Sequence, residues 1–309
     1  MTTVGLLHPG AMGAAVGGCL VTAGHTVLWD PSGRSRASTG RALSAGLTGV
    51  GFSALVSQSE VIFSICPPHA ALDVARSVAS AGFSGTYVDA NAVSVATAAS
   101  VASVVVEGGA EYVDGGIIGM PPEVAGHTRL YLSGPRAGEI RALFGRSALE
   151  ARIAEGQPYA ASAVKIAYAA WTKGTSALLL ACRAFARAEG VEPTLLAEWE
   201  LSQPELGAQS ERAASSAASK GWRWVGEMQE IAASMAAAGL PTGFHEAAAE
   251  IYERTGGGTG GAAASGPRST PRSTPTPTPI RPGAKPANGA GAGAGASGSS
   301  IDAVLSALM

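Results

Sequence analysis

Between Thr3 and about Ile153, short runs of β-branched residues alternate with Ala-rich stretches that permit helix, and after Gln157-Pro158 the alternation stops. No other feature constrains the fold so tightly. The apolar runs read as strands near 3–7, 27–29, 61–65, 86–89, 111–114 and 129–133. Strands separated by helices form a parallel sheet covered on both faces. Helical segments then follow at roughly 159–189, 193–201, 205–219, 221–238 and 244–254, punctuated by Gly190, Pro193, Pro204, Gly239 and Pro241. The expected architecture is an α/β domain over 1–156 followed by an all-α domain over 157–255.

The 309 residues are 46% hydrophobic and 14% charged, enough apolar side chain for two packed domains, which excludes wholesale disorder. Much of the Gly and Pro is pooled in 256–300, where Arg268, Arg272, Arg281 and Lys285 stand without an acid. Thr-Pro repeats (274–279) and Gly-Ala repeats (289–296) cannot bury enough apolar surface to offset chain entropy, so a disordered linker is expected there. Beyond it, Ile301, Val304, Leu305 and Leu308 recur at helical spacing. A helix of nine residues (301–309) is too short to stand alone and needs a surface to dock on.

Without the tail the chain is mildly acidic, which disfavours nucleic acid as a partner. The first basic residue is Arg34, and the most apolar later stretch (158–188) is interrupted by Lys165, Lys173 and Arg183, so neither a secretory signal nor a membrane span is expected and the reading is cytoplasmic. Three cysteines without a CxxC, and histidines without an HxxxH or HExxH pair, offer neither a disulfide framework nor a metal site.

Val4-Gly5-Leu6-Leu7-His8-Pro9-Gly10-Ala11-Met12-Gly13 follows a strand and opens a helix, and Asp30 ends the next strand at the spacing of the acid in a dinucleotide fold. Gly10 lets backbone approach a pyrophosphate and Gly13 lets the helix pack on the strand. His8 replaces the first glycine of the fingerprint, with Pro9 behind it, so the tight turn must be built differently. A carboxylate at Asp30 suits a ribose diol and favours NAD. Ser32, Arg34, Ser35 and Arg36 follow at once with the hydroxyl and guanidinium chemistry that holds a phosphate monoester. NADP is the expected cofactor, through Arg34 and Ser35, and NAD the alternative.

The glycine turn together with Ala23-Gly24-His25-Thr26-Val27 resembles the start of the β-hydroxyacid dehydrogenases, relatives of 6-phosphogluconate dehydrogenase and 3-hydroxyisobutyrate dehydrogenase. Asp89-Ala90-Asn91-Ala92-Val93-Ser94 looks like that family's D-x-[SN]-[ST] strand end, and Asp114 to Gly119 looks like its substrate-binding D-x-x-x-x-G segment. Tyr168-Ala169-Ala170-Trp171-Thr172-Lys173, Glu198-Trp199 and the segment Trp222 to Met228 are similar to a less characterised bacterial branch. The resemblance covers residues 1 to about 255. It implies a Rossmann domain, a helical domain and an active site between them in a homodimer with interlocking helical domains. Asn91 and Gly119 match positions lining the substrate or nicotinamide site, although Ala92 and Met120 replace the usual hydroxyl and second glycine. Cys66 and Pro67, at the end of the third strand run, complete the expected cofactor set of His8, Pro9, Gly10, Ala11, Met12, Gly13, Asp30, Arg34, Ser35 and Asn91.

Only four lysines stand against seventeen arginines. Lysine in an apolar pocket can surrender a proton, whereas arginine stays charged. Lys165 has Ala161, Ser162, Tyr168 and Ala169 as helical neighbours, a face small enough for a nicotinamide to lie against. By resemblance it matches the family's catalytic lysine, which exchanges a proton with the substrate oxygen. Ala169 stands where the family commonly has Asn, and Tyr168 is the candidate for the missing polar contact. His245 is a further candidate for substrate binding from a late helix. The reading is an NAD(P)-dependent oxidoreductase acting on a small carbonyl or hydroxy substrate. The alternatives are an imine reductase-like enzyme and a non-catalytic dinucleotide-binding sensor or scaffold.

Overall fold

The computed structural model describes residues 1–145, 147–255 and 300–309. The linker expected over 256–300 therefore lies, apart from Ser300, outside the described residues. In chain order the first half runs β1 (Thr3–Leu7), α1 (Ala11–Thr22), β2 (Thr26–Trp29), α2 (Arg36–Ser44), β3 (Thr48–Gly49), α3 (Phe52–Gln58) and β4 (Val61–Ser64). A short 3-10 turn (Pro68–Ala70) leads to α4 (Ala71–Ser80), β5 (Thr86–Asp89), α5 (Val95–Glu107), β6 (Glu111–Ile118), β7 (Thr128–Ser133), α6 (Ala137–Ala142) and β8 (Leu149–Ile153).

These strands form one eight-stranded sheet in the order β3-β2-β1-β4-β5-β6-β7-β8. All neighbours are parallel except β6 and β7, which pair antiparallel with Ile118 opposite Arg129. The sheet is thus mixed, not wholly parallel as the βα alternation suggested. The nine-residue connection between β6 and β7 holds no helix that could carry the chain back to the start of a parallel strand. Strands β3 and β8, unforeseen from sequence, sit at the two edges. One has two residues, and the other, Leu-Glu-Ala-Arg-Ile, has two charged residues among its five, so neither carries a full apolar strand signal. Alternate residues feed a core on each face: Val4 and Leu6 enter one cluster with Leu130 and Leu132, and Leu7 enters the other with Ile62 and Tyr87.

The second half is α7 (Ala160–Ala188), α8 (Glu192–Ser202), α9 (Leu206–Ala237), α10 (Gly243–Thr255) and α11 (Ser300–Leu308). Where the sequence suggested a break at Lys220, α9 runs through as one helix of 32 residues. Gly221 is there for packing: a Cβ on it would stand 3.2 Å from Thr255 Oγ1 and 3.5 Å from the Tyr252 carbonyl, both on α10. No helix among the described residues is long and apolar enough to cross a membrane.

The last helix docks on its apolar stripe. Ile301, Val304 and Leu305 are buried in one cluster with Leu180, Ala214 and Tyr252, and Leu308 packs against it half-buried. An ionic network holds the same end. Glu192 accepts from both Arg183 and Arg187, Arg183 also reaches Ser210 and Glu211, and Arg187 pairs with Asp302 of α11 at 2.9 Å. Arg183 is only 4% exposed, so its charge is tolerable because every direction of its fork finds an acceptor. Leu305→Ala is expected to cost about 2–4 kcal/mol by leaving a cavity, read as a lower urea midpoint at unchanged m. The half-buried Leu308→Ala should cost much less in the same measurement.

Candidate active site

The turn between β1 and α1 solves the problem set by His8. Its backbone takes φ +67, the left-handed conformation that the missing glycine would have supplied without strain. The His8 carbonyl then accepts from Gly10 N at 2.7 Å. A Cβ on Gly13 would lie 2.5 Å from that same carbonyl, so only glycine lets α1 start this close to β1. Nothing stands within 4 Å of where a Cβ on Gly10 would be, which leaves open space at the helix N-terminus beside Ala11. Met12 packs back against the core.

Arg34 reaches the same turn. Burial first, and the Arg34 charge second, lower the His8 imidazole to about 4, so His8 is neutral at physiological pH. His8 Nδ1 and Arg34 Nε are both buried without a hydrogen-bond partner among the described residues. Asp30 accepts from Ser32 N at 3.0 Å, which shapes the loop after β2. The Ser35 hydroxyl caps α2 by accepting from Ser38 N at 3.2 Å, so it serves the helix start as well as facing solvent.

Cys66 and Asn91 act on each other. Asn91 Oδ1 accepts from Cys66 N at 2.6 Å, while Nδ2 donates to Ser64 Oγ at 3.0 Å and to Asp89 Oδ1 at 2.5 Å. With its amide spent and 2% exposed, Asn91 pins the carboxyl ends of β4 and β5 together and does not line the cleft described below. Burial raises the Asp89 carboxyl to about 7 and pushes the Cys66 thiol up to about 11, against the hydrogen bonds that lower both. Pro67 is exposed and precedes the 3-10 turn.

A cleft of about 560 Å³ opens between α7 and the connection from β6 to β7. From α7 it takes Lys165, Tyr168, Ala169, Thr172 and Lys173, the spacing of one helix face. Gly119, Met120, Glu123 and Arg129 stand among the residues of the opposite wall. Gly119 has φ +128, and a Cβ there would fall 2.4 Å from the His127 carbonyl, so the loop doubles back tightly at that point. His245, in contrast, is buried in the first turn of α10 beside the Phe244 ring, with neither ring nitrogen hydrogen-bonded among the described residues, and does not line the cleft.

The face of α7 is aimed by contacts at its first turn. Asp114 on β6 accepts from Ser162 N at 2.9 Å and from Ser162 Oγ at 2.5 Å, and Ser133 on β7 joins by donating to Asp114 at 2.8 Å. A Cβ on Gly116 would meet the Ala161 carbonyl at 2.6 Å and Lys165 Cβ at 3.0 Å, so α7 lies directly on the β6 backbone. From α9, Glu230 accepts from Ser94 N at 2.7 Å and Thr97 Oγ1 at 3.2 Å, tying the helical half to the start of α5.

Burial first, and the Lys173 charge second, against the opposing Glu227 carboxylate, lower the Lys165 ammonium from 10.5 to about 8. Lys173 is itself held by an ion pair with Glu227 and lies 5.9 Å from the Trp224 ring centroid. Sequence reasoning missed Lys173 and Arg129. The first was legible as the eighth residue after Lys165 on one helix face. The second had no local signal, because only the β6–β7 pairing brings it to the cleft.

Residues 3–96 match the family model described as NADP oxidoreductase, coenzyme F420-dependent, and residues 186–255 match a domain of unknown function, DUF1932. An NAD(P)-binding Rossmann domain is joined here to a DUF1932 domain. No curated protein sequence matches the chain. Among solved structures, the chain is similar to a conserved protein of unknown function whose structure is described as similar to 3-hydroxyacid dehydrogenases. The two are 26% identical over 82% of this chain and 96% of that one, with a TM-score of 0.65. A conserved hypothetical protein from Sinorhizobium meliloti 1021 is 23% identical over 82% and 88%, with a TM-score of 0.65. The 3-hydroxyisobutyrate dehydrogenase of Mycobacterium tuberculosis, solved with L-serine, shares the fold at 18% identity over 82% and 93%, with a TM-score of 0.64.

The position of Lys165 has a consequence for stability. The unfolded chain keeps its proton up to about 10.5 and the folded chain only up to about 8. Below 8 the buried ammonium weighs against folding by its full amount, and that cost is relieved as pH rises from 8 to 10.5. Lys165→Met should therefore raise stability at pH 7 by about 1–3 kcal/mol, measured by urea unfolding. The gain over wild type should shrink as the pH is raised through the same window.

Proposed function

We propose that this protein is an NAD(P)-dependent oxidoreductase that exchanges a hydride between a nicotinamide cofactor and a small carbonyl or hydroxy compound, with Lys165 moving the proton. The observation that carries this reading is Lys165 itself: a cleft-lining lysine on a small-residue helix face, held near the pH at which an ammonium both gives and takes a proton.

The residues of the β1–α1 turn fit a dinucleotide. Open space at Gly10, and an Arg34 Nε buried without a hydrogen-bond partner among the described residues, provide room and a donor for phosphate oxygens. Arg34 would favour NADP, with Ser35 beside it, and Asp30 keeps NAD as the alternative. When bound, the nicotinamide supplies or accepts the hydride. Lys165 donates a proton to the substrate oxygen in reduction and removes it in oxidation, and Tyr168, half-exposed on the same face, orients that oxygen. Asn91 is a positioning residue that holds the strand ends under the cofactor site.

NADH and NADPH are titrated first into wild type and Arg34→Ala; a selective loss of NADPH affinity supports the phosphate assignment. A panel of carbonyl, hydroxy and imine compounds follows with the preferred cofactor. Lys165→Met is expected to lower turnover on the order of 10²–10⁴ while cofactor affinity stays within a few fold, and Lys165→Arg should fail almost as badly because guanidinium holds its proton. Turnover of imines alone would favour the reductase alternative, and binding without hydride exchange would favour the sensor.

We also propose a homodimer. Tyr168, Trp171, Leu178 and Phe185 recur along α7 at the spacing of a helix-pairing seam and are exposed, and α8 buries none of its residues. Such a seam is self-complementary, which makes a second copy of the chain the fitting occupant. Sedimentation should show a wild-type dimer at micromolar concentration and a monomer for Trp171→Glu combined with Phe185→Glu. A monomeric wild type overturns this reading.

A further inference from the structure

The helix that carries Lys165 presents a second lysine to the same cleft, and proton transfer gives that one no task. Lys173 lies two turns further along α7, about 12 Å by helical rise and on the same face. Three contacts fix it. Its ammonium pairs with Glu227 of α9, it faces the Trp224 ring at 5.9 Å from the centroid, and its carbonyl accepts from the Tyr252 hydroxyl of α10 at 2.6 Å. The side chains of Lys173 and Glu227 are only 16% and 20% exposed, so the pair is largely withdrawn from water. Withdrawing two ions costs free energy that their attraction does little more than offset, so stability alone does not account for it.

Lys165 has no such pairing with any carboxylate among the described residues. The ionisable groups that share its surroundings are Tyr168 and Lys173 on α7, Glu123 and His127 on the β6–β7 connection, Arg129 on β7 and Glu227 on α9. Asp114, on the strand beneath, is spent on Ser162 and Ser133. The carboxylate whose charge bears on Lys165 is Glu227, the same one that Lys173 holds. Two lysines on one helix face therefore stand in the field of one acid, and one of them has taken it. A lysine paired to a carboxylate in a dry site keeps its proton, whereas an unpaired one there is ready to lose it.

We propose that Lys173 is a positioning residue: by holding Glu227 it keeps that carboxylate from pairing with Lys165, which stays unpaired and free to exchange a proton with the substrate. This rests on the oxidoreductase reading above. With Lys173 removed, Glu227 is left without its counter-ion in a partly dry site, and the ammonium that remains on that face of α7 is Lys165. With Glu227 removed instead, the unmatched Lys173 charge disfavours a second ammonium on the same face. The two substitutions thus act on Lys165 in opposite directions, which a mere loss of packing would not do.

The test reads Lys165 itself, without cofactor or substrate. Trace acetylation of the full chain with acetic anhydride across neutral to alkaline pH, followed by peptide mass spectrometry, gives the midpoint at which Lys165 becomes reactive, expected at about 8 in wild type. Lys173→Met should raise that midpoint by about 1–3 pH units, the effect of an opposite charge brought close. Glu227→Gln should lower it. Lys173→Arg should leave it near that of wild type, because a cation still holds Glu227, and Lys173→Met combined with Glu227→Gln should cancel most of the rise. The proposal is overturned if Lys173→Met leaves the midpoint unchanged or lowers it, if the rise persists in the double variant, or if Lys165 of wild type titrates as a free lysine does. Should Lys173→Met lack a cooperative unfolding transition, Lys173→Gln takes its place. With a substrate in hand, Lys173→Met should displace the pH profile of kcat to higher pH by the same interval and leave KM nearly unchanged. A displaced midpoint in a chain that turns over no compound sinks the oxidoreductase reading and leaves the hold on Glu227 standing, so the two failures are distinguishable.

Discussion

One carboxylate in the middle of the sheet holds the two halves of the molecule in register. Asp114, buried on β6, accepts the backbone N–H and the hydroxyl of Ser162, and thereby caps the helix that carries Lys165. A helix start leaves its first N–H groups without partners and carries partial positive charge. A buried carboxylate has the opposite need. Each satisfies the other where neither has water, and the residue that begins α7, Ala160, has no capping side chain before it, since Tyr159 occupies a left-handed conformation. The glycines that follow Asp114 then let α7 lie on bare strand backbone, with Lys165 Cβ 3.0 Å from where a Cβ on Gly116 would stand.

That closeness weakens the hold of Lys165 on its proton. A lysine set against a sheet loses hydration and its ammonium is disfavoured, so the cost to folding and the readiness to give up a proton have one origin. Lys173, two turns on, is held in an ion pair with Glu227, whereas no carboxylate among the described residues pairs with Lys165 or Arg129. Three cations around one cleft thus differ in what they can do, and the difference comes from partner and burial more than from residue type.

The glycine turn shows the same division between local rule and context. Gly13 could be assigned from spacing, and its reason is visible in the His8 carbonyl that any side chain would strike. His8 could be flagged as a departure from the fingerprint, but not resolved. The structure shows the departure to be chemical and not conformational, since His8 adopts the left-handed backbone that a glycine would have. Asn91 was legible as a polar residue at a strand end. That its amide faces inward to Ser64, Cys66 and Asp89, away from the cleft, was not, because those partners come from two strands and a turn.

What the sequence by itself determined is what a short window encodes: the βα alternation and its end, the turn that opens α1, the face of α7 shared by Lys165, Tyr168 and Ala169, and the apolar stripe of α11. Periodicity and steric exclusion act over a few residues and survive in any context that buries the right face. Only the tertiary structure decided that β7 runs against β6, that α9 passes unbroken through Gly221, that Arg129 stands across from Lys165, and that His245 is buried away from the cleft. Each of these depends on which distant segment removes a group from water or supplies its hydrogen bond. Desolvation and partnership are properties of the packed chain and leave no mark on the residues beside it.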